Sequence, residues 1–401
     1  MKIEQFTDEA QEFIQAHIQD EVTTLALQAK RYPHLPLAEL VAQIKARQKA
    51  KVKLPQWFAN PQLIFPSALS VEQCSSETTA LLKASLISGE SLLDLTGGMG
   101  VDVAYMSQQV SRAIYLEQQT DLATLTAHNL NLLGIQNVTC LAENSIEWLQ
   151  KQDPTTTRFS WIYLDPHRRD DTGNKVVLLQ DCEPNILAIK NVLFQYSDHI
   201  LLKASPMLDI DLALRSLENV CQVWVVAVEN EVKEVLFHLT KESNNNPNIE
   251  AINLLKDGTV QKVSFKKAEE EYIPQQLSKP LRYLYEPNAA ILKSGAFKML
   301  CHQLHIHKIA AHSHLYTSEA LLANFPGRTF EIIQTCKLDK KEISTLLKSP
   351  KANITVRNFP MTVKQIREKL KLQEGGEDYL FATTDMNNQK IIILTKKVTS
   401  T

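Results

Sequence analysis

Asp94-Leu-Thr-Gly97-Gly98-Met-Gly100-Val-Asp102 is the stretch whose reading decides the fold. It follows the apolar run SLLDL (91–95) directly and packs three of the chain's 11 glycines into four positions. Glycine in a strand-to-helix turn permits positive φ and lets the backbone approach a ligand closely. Such a turn receives either a dinucleotide pyrophosphate or the amino-acid end of S-adenosylmethionine (SAM). The GxGxxG order of dinucleotide sites is absent. Instead Asp94 stands three residues ahead of the glycines, where a carboxylate takes up an amino group through water.

Outward from this turn, short apolar runs alternate with helical stretches. The strand candidates are AIYLE (113–117), VTCLA (138–142), WIYLD (161–165), HILLKA (199–204) and VWVVAV (223–228). AINLL (251–255) and VQKVSF (260–265) flank Asp257-Gly258, a hairpin signal. Helices are expected over 121–133 and 181–194. The pattern predicts an α/β fold, a Rossmann-like doubly wound and mainly parallel sheet with an antiparallel terminal strand. Ligands of such sheets bind beyond the carboxyl ends of the strands. Those ends carry Glu117, placed to accept both ribose hydroxyls, then Glu143-Asn144-Ser145, where Asn144 is the candidate adenine contact. Next come Asp165-Pro166-His167-Arg168-Arg169-Asp170 and Lys203-Ala-Ser205-Pro206-Met207.

The chain has 401 residues, 44% hydrophobic and 22% charged, which is ordinary globular composition and sets disorder aside. Its length predicts two or three domains. No apolar run approaches the roughly 20 residues of a membrane span. MKIEQFTDEAQEF, at the start, is acidic and amphipathic rather than a signal-peptide core. Six dispersed cysteines without a CxxC pair predict free thiols in a reducing cytoplasm. The net charge of −2 hides a division: residues 278–401 hold 19 Lys+Arg and 10 Asp+Glu, a net of +9, leaving −11 elsewhere. Such asymmetry points to a nucleic-acid-facing module, against the plainer reading of solvated lysine-rich helices.

Residues 1–70 read as a helical segment broken at Pro33, Pro36, Pro55, Pro61 and Pro66. The basic run 45–53 closes it, as a solvated helix end or a phosphate contact. The α/β part spans 71–270, a polar linker follows around 266–280, and two small α+β stretches cover 279–325 and 326–401. Five histidines crowd into 302–314, but their spacing matches no zinc module, so no metal site is expected.

DLTGGMGVD, YLEQ and YLDPHRRD together resemble motifs I, II and IV of class I SAM-dependent methyltransferases. Glu72-Gln-Cys-Ser75-Ser76-Glu77-Thr78 resembles the segment ahead of motif I in a bacterial family of that class. Tyr285-Glu286-Pro287-Asn288 to Gly295 resembles the opening of the small ferredoxin-like domain that follows in that family, itself followed by a THUMP-like domain. The resemblance implies SAM as cofactor, held by Asp94, Thr96, Gly97, Gly98, Gly100, Glu117, Asn144 and Asp165. It implies Asp165, Pro166, His167 and Arg168 as catalytic residues. THUMP domains belong to tRNA-modifying enzymes, so the implied partner is structured RNA, tRNA or rRNA, methylated on a base nitrogen.

This chain departs from the motif IV of base-amino methyltransferases, (Asp/Asn)-Pro-Pro-aromatic. It keeps Asp165-Pro166 but has His167 and Arg168 where the second proline and the aromatic stand. An imidazole or a guanidinium plane can replace that stacking ring. His167 can also accept the departing proton, since imidazole titrates close to neutral pH. KASPM lacks the cysteine that pyrimidine C5 methylation requires. Two rivals stay open: methyl transfer to a protein or small molecule, and a non-catalytic protein that binds SAM or RNA.

Overall fold

The computed structural model describes residues 3–168, 178–242 and 246–398. The chain forms two compact units, one of residues 1–221 with 236–245 and one of residues 222–235 with 246–401.

In the first unit, five strands lie in the order Val138–Leu141, Val110–Leu116, Gly89–Asp94, Trp161–Leu164, His199–Ala204. All four pairings are parallel. Leu92, Leu93, Tyr115, Ile162, Leu164 and Ile200 to Leu202 are all buried. Continuous apolar runs of this kind are what a sheet covered on both faces requires. The strand order reverses beside Gly89–Asp94, so the crevice at the carboxyl edge opens between this strand and its neighbours. Two helix expectations shift slightly. Thr120–Leu132 replaces 121–133, and the helix sought over 181–194 runs Ile186–Tyr196. Pro184 disfavours the helical conformation for the residue ahead of it, and Asn185 caps the start by accepting the Leu187 N–H at 3.0 Å.

The amino-terminal helices build a small core of their own. Thr7 caps Asp8–Ala16, whose Phe13 and Ile14 pack with Leu37, Leu40 and Ile44 of Leu37–Lys53. The basic run lies on that second helix, and Arg47 within it is neither solvated nor a phosphate contact. It is 1% exposed and donates to the Pro61 and Leu63 carbonyls, both at 2.6 Å.

In the second unit, Asn248–Leu254 pairs parallel with Val220–Val228 and antiparallel with Val260–Lys266, through the expected turn at Gly258 (φ +85°). One strand, Glu231–Thr240, is absent from the sequence expectation. It follows Val220–Val228 through the two-residue turn Glu229-Asn230, both at positive φ. A second sheet has seven strands in the order His307–Lys308, Tyr316–Ser318, Tyr283–Pro287, Gly327–Cys336, Lys390–Lys397, Asp378–Thr384, Asn353–Arg357. One face of it buries Leu380, Ala382, Ile392 and Leu394 together with Ile343 and Ile366 of the helices Lys340–Leu346 and Val363–Leu370. The polar stretch 243–248 reads in sequence as a loop near the sheet's end, and of it residues 243–245 lie outside the described residues.

Candidate active site

Gly89–Asp94 delivers Asp94 to the carboxyl edge of the sheet, where the chain turns. The Thr96 N–H donates to Asp94 Oδ1, that of Gly97 to the Leu116 carbonyl and that of Gly98 to Glu117 Oε2, each at 3.0 Å. Two of the glycines are required by space. A Cβ on Gly97 would stand 2.5 Å from the Tyr115 ring and 2.7 Å from the Leu116 carbonyl. One on Gly100, at φ +78°, would stand 2.4 Å from the Thr126 methyl. The turn is thereby pressed flat against the second strand, and Glu117 is oriented by it. Its other oxygen accepts the Gln119 N–H at 2.8 Å.

The same turn reaches the fourth strand. Thr96 Oγ1 accepts the Asp165 N–H at 2.7 Å, and Lys203 Nζ donates to Asp165 Oδ2. Asp102 Oδ2 accepts from Tyr163 OH at 2.7 Å and from Ser75 Oγ at 2.8 Å, while Lys83 Nζ lies 3.2 Å from Oδ1. Burial pushes the Asp102 carboxyl up, but Lys83, Lys203 and the two hydroxyls outweigh it and hold the carboxyl below its ordinary value. Among the described residues no cation pairs with Asp94. Burial, with Asp102, Asp165 and Glu117 adding repulsion, pushes it up to about 8.

The turn, Glu117, Asp102, Tyr163 and Asp165 line a cavity of about 360 Å³. Of the residues singled out in the sequence, Thr96, Gly97, Gly98, Gly100, Glu117, Asn144, Asp165 and His167 line it. Asp94 is not in that lining; it is 1% exposed, bonded to the turn from within. Pro166 is not in the lining either, and the Arg168 side chain lies outside the described residues. Rather than a loop, His167–Arg168 forms a short strand paired antiparallel with Cys182–Glu183. Arg169 and Asp170 lie outside the described residues. Asn144 caps the helix Ser145–Gln150, its Oδ1 accepting the N–H groups of Ile146 and Glu147 at 3.0 and 3.2 Å.

The family described as conserved hypothetical protein 95 matches residues 77–197, a ferredoxin-like domain family matches 283–326, and a THUMP domain-like family matches 327–397. A solved protein of Porphyromonas gingivalis W83, described as a candidate methyltransferase, is 33% identical, with 98% of each chain covered and a TM-score of 0.86. The chain belongs to that methyltransferase family. No curated protein is similar enough to match. A T. thermophilus 16S rRNA N2 G1207 methyltransferase in complex with AdoMet and guanosine is 16% identical over 44% of each chain, at TM-score 0.32. A candidate rRNA methylase of Clostridium thermocellum is 14% identical over 41% of this chain and 96% of its own, at TM-score 0.31. Matches that partial carry no argument about the present chain.

The sequence expectation missed Lys83 and Tyr163, and it named Lys203 only as lining the edge. Lys83 is wholly buried in the helix Glu77–Ser85, where a lysine within an apolar stretch gives no outward signal. The upstream segment acquires a physical role. Ser75 bonds Asp102, and Glu77 accepts the Gln56 and Trp57 N–H groups at 2.8 and 3.1 Å. Cys74 also lines the cavity, but burial pushes its thiol up to about 11, so it supplies no thiolate at neutral pH. Of the crowded histidines of the second unit, His314 lies against Phe297 with ring centroids 3.8 Å apart, and burial lowers its pKa to about 4.

Proposed function

We propose that the cavity binds SAM and that the protein transfers its methyl group to a base nitrogen of structured RNA, tRNA or rRNA. The observation that carries this reading is that one glycine turn holds two acidic residues at the same cavity, the Glu117 carboxylate through the Gly98 N–H and the Asp165 backbone N–H through Thr96 Oγ1.

The residues present fit that cofactor. A cavity of about 360 Å³ lies within the usual range for small-molecule sites. Glu117 is held by two backbone donors and keeps lone pairs for ribose hydroxyls. Asn144 has committed its oxygen to the helix, so it would offer its amide N–H groups to an adenine ring nitrogen rather than accept from the amino group. Asp94, pushed up to about 8 by burial, would be drawn toward its ionised form by an ammonium group placed nearby. SAM, when bound, supplies a methyl group on a sulfonium, open to in-line attack by a nitrogen lone pair.

The protein's own residues orient the acceptor. Lys203 occupies Asp165 Oδ2; Oδ1, without a partner among the described residues, would accept from a base N–H and turn the nitrogen lone pair toward the donor. Holding both partners in line supplies much of the acceleration. His167 lines the same cavity and can take the released proton. The net +9 of residues 278–401 supplies the attraction for RNA.

Calorimetric titration with S-adenosylhomocysteine tests the first half. Saturable binding weakened at least tenfold by Glu117→Ala is expected, and no binding to folded protein would remove the enzyme reading. For the second half, label from methyl-tritiated SAM should enter a ribonuclease-sensitive fraction and vanish with Asp165→Ala. Label in a ribonuclease-resistant fraction would turn the assignment toward a protein or small molecule.

A further inference from the structure

Tyr285-Glu286-Pro287-Asn288 to Gly295 is mostly accounted for by local structure. Asn288 Oδ1 accepts the Ile291 N–H at 3.1 Å and caps the helix Ala289–Ser294, which Gly295 ends at φ +80°. Glu286 has a different task. It is 4% exposed, and both its oxygens are taken by arginines. Oε2 accepts Arg328 Nε at 2.7 Å and its Nη2, while Oε1 accepts Arg357 Nη2 at 2.9 Å and Nε at 3.2 Å. Glu286 and Arg357 lie on strands four places apart, so the sheet must curl for them to meet, since flat strands would separate them by about 19 Å.

One buried carboxylate thus fixes two guanidinium groups, each more than a third exposed. The ensemble keeps a net positive charge, and neither Nη1 has a hydrogen bond among the described residues. Beside it runs a groove of about 560 Å³, lined by Arg328, Asn353, Thr355, Lys364, Arg367 and Tyr379. Glu374 also lines it, but sits 3.9 Å from Arg367 and is largely exposed, too loose a pairing to cancel three cations. A guanidinium whose Nε edge is anchored presents its remaining donors without losing side-chain freedom on binding, which suits planar recognition of phosphate.

We propose that this groove is a phosphodiester-binding track for RNA, with Arg328 as its fixed point and Lys364 and Arg367 as its further contacts. The proposal rests on the RNA reading above and names where that RNA is gripped. A polyanion is favoured over a single acidic side chain because three cations line one groove within a region of net +9.

The test is fluorescence anisotropy of labelled bulk tRNA with the full chain, across a potassium chloride series. A Lys364→Ala/Arg367→Ala variant should bind about tenfold more weakly, with the slope of log affinity against log salt reduced by about 1 per cation removed. Lys340→Ala/Lys341→Ala removes equal charge outside the groove and should change neither quantity appreciably. Lys364 is exposed and has no partner among the described residues, so Lys364→Glu, which cannot unfold the chain by breaking a contact, should alone weaken binding several-fold. Equal binding and slope in all variants, with the parent binding tRNA, would overturn the groove and leave the RNA reading standing. A parent that binds S-adenosylhomocysteine but no tRNA would overturn both.

Discussion

Asp94 is the residue where burial and charge pull in one direction. Its pKa stands raised from 3.8 to about 8, so the folded protein keeps a proton that the unfolded chain gives up over that window. Stability of the protein without cofactor should therefore fall as pH rises from about 4 to about 8, by up to a few kcal/mol. Chemical denaturation at several pH values checks this, and Asp94→Asn should flatten the profile. If an ammonium group lodges beside Asp94 on binding, titration with S-adenosylhomocysteine near pH 7 should release close to one proton. The measured enthalpy would then vary with buffer ionisation heat in the parent and not in Asp94→Asn. Gly100 offers a steric counterpart. An alanine there meets the Thr126 methyl at 2.4 Å in a left-handed backbone, so Gly100→Ala should cost about 1–3 kcal/mol and weaken analogue binding. Retained affinity with unchanged stability would show that the turn has room this geometry denies.

Among the elements, the helix Leu37–Lys53 shows how a charge pattern can mislead. Four lysines in 45–53 are spaced as on a solvated face, and Arg47 reads as one of them. Its guanidinium instead holds the Pro61 and Leu63 carbonyls, and burial lowers its pKa to about 10. Arg47→Met should destabilise the protein by about 3 kcal/mol, since it strands buried acceptors, whereas Lys51→Met should stay within about 0.5 kcal/mol. Urea unfolding distinguishes the two. What could be read from sequence follows the same divide. The parallel strands were visible because both their faces are buried, and the hairpin at Asp257-Gly258 because glycine at positive φ marks the turn. Glu231–Thr240 was not, because its turn uses Glu229 and Asn230 at φ +52° and +65°, and glutamate announces no such conformation. At the site, the glycines, Glu117 and Asp165 were legible since each follows a strand end. The partners of Asp102 were not, because Lys83 and Tyr163 come from segments distant in the chain that only packing brings together.

For the whole molecule, the buried Glu286 ties strands of the ferredoxin-like and THUMP-like segments into one sheet. Glu286→Gln keeps the shape but removes the charge that two arginines share, so a drop in stability of about 3 kcal/mol or more is expected in denaturant unfolding. The same variant should bind S-adenosylhomocysteine normally, as the residues lining that cavity all fall within 70–184. Loss of analogue affinity in well-folded Glu286→Gln would contradict that independence.

Neither compact unit is a continuous piece of chain. The path leaves the first after residue 221, returns to it for 236–245 and leaves again, and Glu231–Thr240 is shared between the two. A reading frame cut at residue 246 would encode a carboxyl-terminal product without the strand segment 222–228, the parallel neighbour of Asn248–Leu254. A carboxyl-terminal product that keeps this pairing has to begin at residue 222 or earlier, well ahead of both the ferredoxin-like and the THUMP-like matches.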